Sequence, residues 1–525
     1  MRNVCKSLLT AISAILVLAS CTRGPNPSTE SEANTNANPD TGASSLQLQA
    51  SDSSRNVTKA ETAPASDIPE SYKDIVYPKF KYTAPRASDY RVEIAEGVSG
   101  YIVSDRKLPL VNFSVYFENP GIIKNIENEA AFELMGSMFR RGGSKKISAH
   151  ALDDSLEFIS AGISTSAGTF RSYFEISSLT KDFTGTLDLA KKIITEPAFD
   201  KDQLEIIKSN YRTAYEQRFD TPAKLLSHLK TKVNYAPNKR LWDATGDEYQ
   251  KVTAENIANI ARGAFKSDKI VFALSGDVDR DSSVALLKNF FAELKPITDS
   301  VSKPDSIFEA PQPLSFLRKS GTYIVDKDVQ QANISMSQPF VKRPHPDYYP
   351  TAVANFILGG GSFSSRLMLR VRSDEGLAYS VFSHAGNDYR DTSMVSISLQ
   401  TKVESAAYAI GLVFEEIEKL AKEGPTDSEL EQAKKTLVEA LPSIFDSPAS
   451  TATQFAEDFL MGKKDSHYVD YVNEINAVTK EQVKQMIAKY YGREKMTISV
   501  VGPVSKLDSL APFTVISKDS LDFRQ

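Results

Sequence analysis

The sequence predicts an α+β protein built of two tandem homologous domains. Three observations predict it: short motifs recur at one offset, each copy repeats the same rhythm of strands and helices, and a Pro- and Ser-rich stretch divides them. "YIVSD" at Tyr101 returns as "YIVDK" at Tyr323, 222 positions on, and "NFSVYF" at Asn112 returns as "NISMSQ" at Asn333, 221 on. "VTAENI" at Val252 returns as "VTKEQV" at Val478, and "LSGDV" ending at Val278 returns as "VVGPV" ending at Val504, both 226 on. Four weak matches at nearly one spacing outweigh any one of them. Each copy opens on alternating strands, passes through a helix and further strands to long amphipathic helices, and closes on a strand, "KIVFALSGDV" or "KMTISVVGPV". A chain of 525 residues is too long for one hydrophobic core. "KPITDSVSKPDSIFEAPQP", residues 295–313, reads as the linker, leaving domains at 72–294 and 314–525.

Composition is that of a soluble protein, 41% hydrophobic and 25% charged with a net charge of −5. The acidic balance and the lack of a basic block argue against nucleic acid as a partner. Residues 1–20 read as a secretory signal: Arg2 and Lys6 are followed by an apolar run, Leu8–Leu18, too short to span a bilayer. It ends in "LASC", Leu18–Cys21, which resembles the bacterial lipobox. That resemblance implies cleavage before Cys21 and lipidation of its new N-terminus, the route by which this chain would meet a membrane. Several acyl chains anchor stably where one is marginal. Thr22, where Asp would signal retention, points to the outer membrane and a periplasm-facing, lipid-anchored protein of the bacterial envelope. With Cys5 lost and Cys21 lipidated, no thiol remains for a disulfide or a metal. Residues 21–71, rich in Ser, Thr, Asn and Pro, read as a disordered tether.

The first domain contains "AAFELMGSMFRRGGSKK", Ala130–Lys146. Ala131, Phe132, Met135, Met138 and Phe139 recur at helical spacing and predict a core face. Glu133, Ser137 and Arg140 share another face, and Gly142 and Gly143 suit the helix end. The following "SAHALDDSLEFISAGISTSAG" completes a pattern that resembles the first domain of the pitrilysin/insulinase family, which includes the mitochondrial processing peptidase.

That resemblance implies a clamshell half in which each domain is a mainly antiparallel sheet packed with helices. The family's zinc peptidases carry H-x-x-E-H on this helix: two His hold the metal and the Glu is the base for its water. The His positions match Glu133 and Ser137 here, and the base position matches Gly136. The third ligand, a Glu on a later helix, matches Ile207 in "FDKDQLEIIK", with Glu205 nearby but turned by about 200°. No two of the five His are three or four apart, so no helix offers a His pair. The first domain is expected to hold no metal and to be inert, any zinc lying in a partner subunit.

The second domain contains "FILGGGSFSSRLMLRVRSDEGLAYSVFS", Phe356–Ser383. Ser364 or Ser365 suits a helix start and Gly376 a helix end. Spacing alone favours plain roles, with Arg372 complementing a helix dipole and Tyr379 packing in a strand. The segment is similar to one that supplies substrate-binding residues in the family, and on that resemblance Arg372 and Tyr379 contact substrate. An Arg fork suits a peptide carbonyl or carboxylate, and a phenol can donate to an oxygen gaining charge. The expected function is a non-catalytic, substrate-binding subunit that joins a zinc-bearing homologous peptidase and binds peptide or unfolded polypeptide. The alternatives are a stand-alone peptide- or protein-binding scaffold lipoprotein and an autonomous peptidase with an unrecognised site.

Overall fold

Alternation along the strands decides which face of each sheet becomes core. In β3 (Leu110–Glu118), Val111, Phe113, Val115 and Phe117 turn to the helices, while Asn112, Ser114 and Tyr116 take the far face. In a computed structural model of the chain, the described residues are 71 and 82–523, except 120, 126–127, 265–268, 300–306 and 318. The predicted signal, Cys21 and the tether up to residue 70 lie outside them. Among the described residues no helix is long and apolar enough to cross a membrane.

The first sheet runs β1 (Arg91–Ala95), β2 (Val98–Ser104), β7 (Ile270–Gly276), β3, β6 (Arg171–Leu179), β5 (Gly162–Ala167). The second runs β14 (Thr514–Val515), β9 (Gly321–Asp326), β13 (Thr497–Gly502), β10 (Gln331–Pro339), β12 (Met394–Lys402), β11 (Ala378–Ala385). Five strands of one sheet thus take the same places as five of the other, and only the first edge differs: β1 is antiparallel to β2, β14 parallel to β9. The predicted architecture, two α+β repeats with mostly antiparallel sheets, is the one observed.

The segment expected to link the repeats is not a free connection. Helix Arg280–Asp299 continues into it. Beyond, β8 (Phe308–Glu309) pairs with β4 (Ile122–Ile123) of the first repeat. Phe308 is buried there, its ring 6.2 Å from that of Phe132. One apolar side chain at the right place outweighs the loop-like composition around it.

The two repeats interlock through exchanged helices. Helix Pro222–Asn234 of the first lies on the far face of the second sheet, where Leu225, Leu229 and Val233 meet Val325, Val501 and Leu521. Helix Pro448–Leu460 of the second lies on the far face of the first sheet, where Ala452, Phe455 and Ala456 meet Tyr101, Tyr116 and Val271. Both begin alike: Thr221 and Ser447 cap their helices by side chain and Pro occupies the first helical position.

Candidate functional site

Helix Glu129–Arg141 carries the positions matched to the zinc motif. Its core face is buried as predicted, Met135, Met138 and Phe139 among it, and the chain leaves the helix through Gly143 at φ +65°. The polar side is closed on itself. The Glu133 carboxylate accepts a hydrogen bond from the Tyr249 hydroxyl, and its backbone oxygen accepts one from the Tyr211 hydroxyl at 3.3 Å. Tyr211 also bonds with Ser137, and the two tyrosine rings meet edge to face at 5.4 Å. Burial and the Glu133 charge push the Tyr249 phenol well above its ordinary range, so it stays a neutral donor.

Gly136, at the base position, has no room for a side chain. A Cβ there would lie 2.4 Å from the Ala167 amide nitrogen and 2.9 Å from the Ser166 carbonyl carbon. Thr165 fastens β5 at this point by donating to the Gly136 carbonyl at 2.6 Å. At the third matched position Ile207 is buried in the core, and Glu205 points outward to an ion pair with Lys208 at 2.7 Å. The residue of that helix that reaches the motif is Tyr211, one turn beyond Ile207. Tyr211 and Tyr249 escaped the sequence reading because neither is a metal-ligand type at motif spacing. Among the described residues no three His, Cys, Asp or Glu come together as a metal-binding set. The residues present do not fit a zinc ion: one tethered carboxylate, one glycine without space, one hydroxyl and a phenol.

The Arg372–Tyr379 pair is built differently. Gly359 lets the end of one helix press against β11, since a Cβ there would lie 2.7 Å from the Ser383 nitrogen. The next helix widens into π turns over Met368–Asp374, and Arg366 pins it by a two-pronged bond to Glu429 at 2.7 and 2.9 Å. Ser365 stands at its start, though its hydroxyl donates to the Ser362 carbonyl at 2.7 Å instead of capping. Gly376, at φ +63°, ends it as expected. The pairing of β11 with β12 is irregular between Ala378 and Val381, and Tyr379, in that gap, is 83% exposed. The Arg372 guanidinium lies 4.7 Å from the Phe363 ring and 4.9 Å from the Tyr379 ring. It makes no ion pair among the described residues. The two sequence-predicted residues are thus brought together, with a third, Phe363, from the Gly-rich turn. A guanidinium beside two exposed rings is held by their faces and not by an acidic side chain among the described residues.

Residues 251–437 match the family model described as the Peptidase M16 inactive domain. A non-peptidase homolog, YmxG of Helicobacter pylori, is 24% identical over 405 residues, 76% of this chain and 90% of that one. This chain is a homologue of the M16 peptidases. The M16 homologue is also 22% identical over 381 residues to a probable mitochondrial-processing peptidase subunit beta of Arabidopsis thaliana, covering 71% of this chain and 70% of that one. Its fold matches the crystal structure of a peptidase M16 inactive domain from Pseudomonas fluorescens with a TM-score of 0.67 at 24% identity, over 79% of this chain and 97% of that one. The resemblance to the pitrilysin/insulinase family is therefore upheld.

Proposed function

We propose that this M16 homologue is the non-catalytic, substrate-binding subunit of a two-chain zinc peptidase of the bacterial envelope, anchored through Cys21. The observation that carries the reading is the Arg372 guanidinium, held between Phe363 and Tyr379 without an acidic partner among the described residues. It stands in a chain whose zinc-motif positions are occupied by Glu133, Gly136, Ser137 and Ile207. A partner with an intact H-x-x-E-H motif would supply the metal and the base. This chain would hold a peptide carbonyl or carboxylate on the Arg372 fork and offer the Tyr379 hydroxyl to the same segment. That a similar Arabidopsis protein is named as a subunit supports an assembly of unlike chains.

The test is reconstitution. Co-expressed with a zinc-bearing M16 homologue from the same genome, the chain should copurify with it and raise its peptide cleavage. Arg372→Ala should lower that cleavage by about tenfold or more, the loss of one charge-assisted contact. Full activity in both Arg372→Ala and Tyr379→Phe would overturn the proposal. Copurification with no zinc-bearing partner at all would favour a stand-alone binding lipoprotein.

A further inference from the structure

The far face of the second sheet carries a group that the Arg372–Tyr379 pair does not use. Helix Pro222–Asn234 is fixed to that face by Asn234, whose side-chain amide donates to Ser337 Oγ at 3.0 Å. Lys230, one turn earlier on the same side of the helix, is partly buried and makes no side-chain hydrogen bond or ion pair among the described residues. Its charge is felt at His384 on β11: burial first, then the Lys230 charge, push that imidazole below its ordinary range. Burial likewise pushes the Lys230 amine down.

The floor beneath is made of hydroxyls. Thr497, Ser337, Ser396 and His384 stand in one row across the sheet, and Ser499, Ser335, Ser398 and Phe382 in the next. The hydroxyls of Ser335 and Ser499 are buried and have no hydrogen-bond partner among the described residues. A cation without a counter-charge among the described residues, near the exposed imidazole of His384 and the half-buried hydroxyls of Ser396 and Ser398, suits an anion.

We propose that Lys230 and His384, over the serine-lined floor, form a subsite for a carboxylate of the polypeptide that Arg372 and Tyr379 engage. The inference rests on the reading of this chain as a peptide binder and names the chemistry of the peptide. His384 lies five residues along β11 from Tyr379, about 17 Å at the rise of a strand. One extended segment of five or six residues spans the two. β11 is the edge of its sheet, with β12 as its single neighbour, so such a segment has free backbone groups to follow.

Fluorescence anisotropy with labelled ten-residue peptides tests this on the purified mature chain. One peptide alternates Ala and Glu and has an amidated C-terminus. A second replaces every Glu by Gln, and a third is that Gln peptide with a free C-terminal carboxylate. The wild type should bind the first or the third about tenfold more tightly than the second, the first for a side-chain carboxylate and the third for a chain end. Lys230→Met should abolish that preference and Lys230→Arg should keep most of it, while Arg372→Ala weakens all three peptides and leaves the ratio. Binding without a carboxylate preference, or a preference that survives Lys230→Met, overturns the subsite and leaves the peptide-binding reading standing. No binding of any peptide overturns both.

Discussion

A Cβ at Gly136 would lie 2.4 Å from a backbone nitrogen of β5, so what distinguishes this helix from a zinc helix is space as well as donor atoms. Gly136→Ala should cost about 1–3 kcal/mol, the usual cost of overpacking, read as a lower urea midpoint. Rebuilding the motif as Glu133→His, Gly136→Glu and Ser137→His should therefore yield neither bound zinc by elemental analysis nor peptide cleavage by the lone chain. A zinc-dependent triple variant would refute the steric argument. At this scale the sequence was informative where residue type and spacing agree. The absence of a His pair was legible, as was the core face through Met135 and Met138. The tyrosines that fill the gap were not, because Tyr211 and Tyr249 are 38 residues apart and meet only through the fold.

Elements are held to one another by a few charged forks, and Arg366–Glu429 is the one beside the candidate site. Burial pushes the Glu429 carboxyl up, but the Arg366 fork and the Thr426 amide and hydroxyl prevail and leave it at about 2 against an ordinary 4.5. A carboxyl lowered in the folded state adds stability that is whole above its unfolded pKa and is lost as pH falls through the folded one. Thermal unfolding of the wild type should therefore show a stability loss between about pH 4.5 and pH 2 to which Glu429 contributes. Glu429→Gln should melt lower at pH 7 and show a shallower fall across that window. An unchanged acid profile would mean the fork contributes nothing.

The repeated elements were legible because each motif sits on a structural counterpart: Tyr101 and Tyr323 on β2 and β9, Asn112 and Asn333 on β3 and β10. A fifth repeat went unread. "DTPA" at Asp220 returns as "DSPA" at Asp446, again 226 positions on, and it starts the two exchanged helices. The exchange itself could not be read, since a helix pattern names an apolar stripe and not the sheet it will cover. The β4–β8 pairing inside the linker could not be read for the same reason: Phe308 finds its place only once β4 exists.

Across the whole molecule the two repeats are also joined by an ion pair between Arg240 of the first and Asp391 of the second, bonded at 3.0 and 2.6 Å and each only 8% exposed. Burial raises the Asp391 carboxyl, yet the Arg240 fork outweighs it and holds the group below its ordinary range. Removing one partner strands a buried charge, and Asp391→Asn should cost about 3–5 kcal/mol by chemical denaturation. Asp391→Asn combined with Arg240→Met should recover part of that loss, since no lone guanidinium remains. If the double variant is no better than the single, the pair is not coupled.

The traded helices carry a consequence for anyone dividing the gene. Severed within residues 300–306, each fragment would bear an arm whose greasy stripe has lost its berth, together with a bare sheet. Made separately, the fragments should clump; made in one cell, they should find each other and rebuild the original particle without any covalent tie.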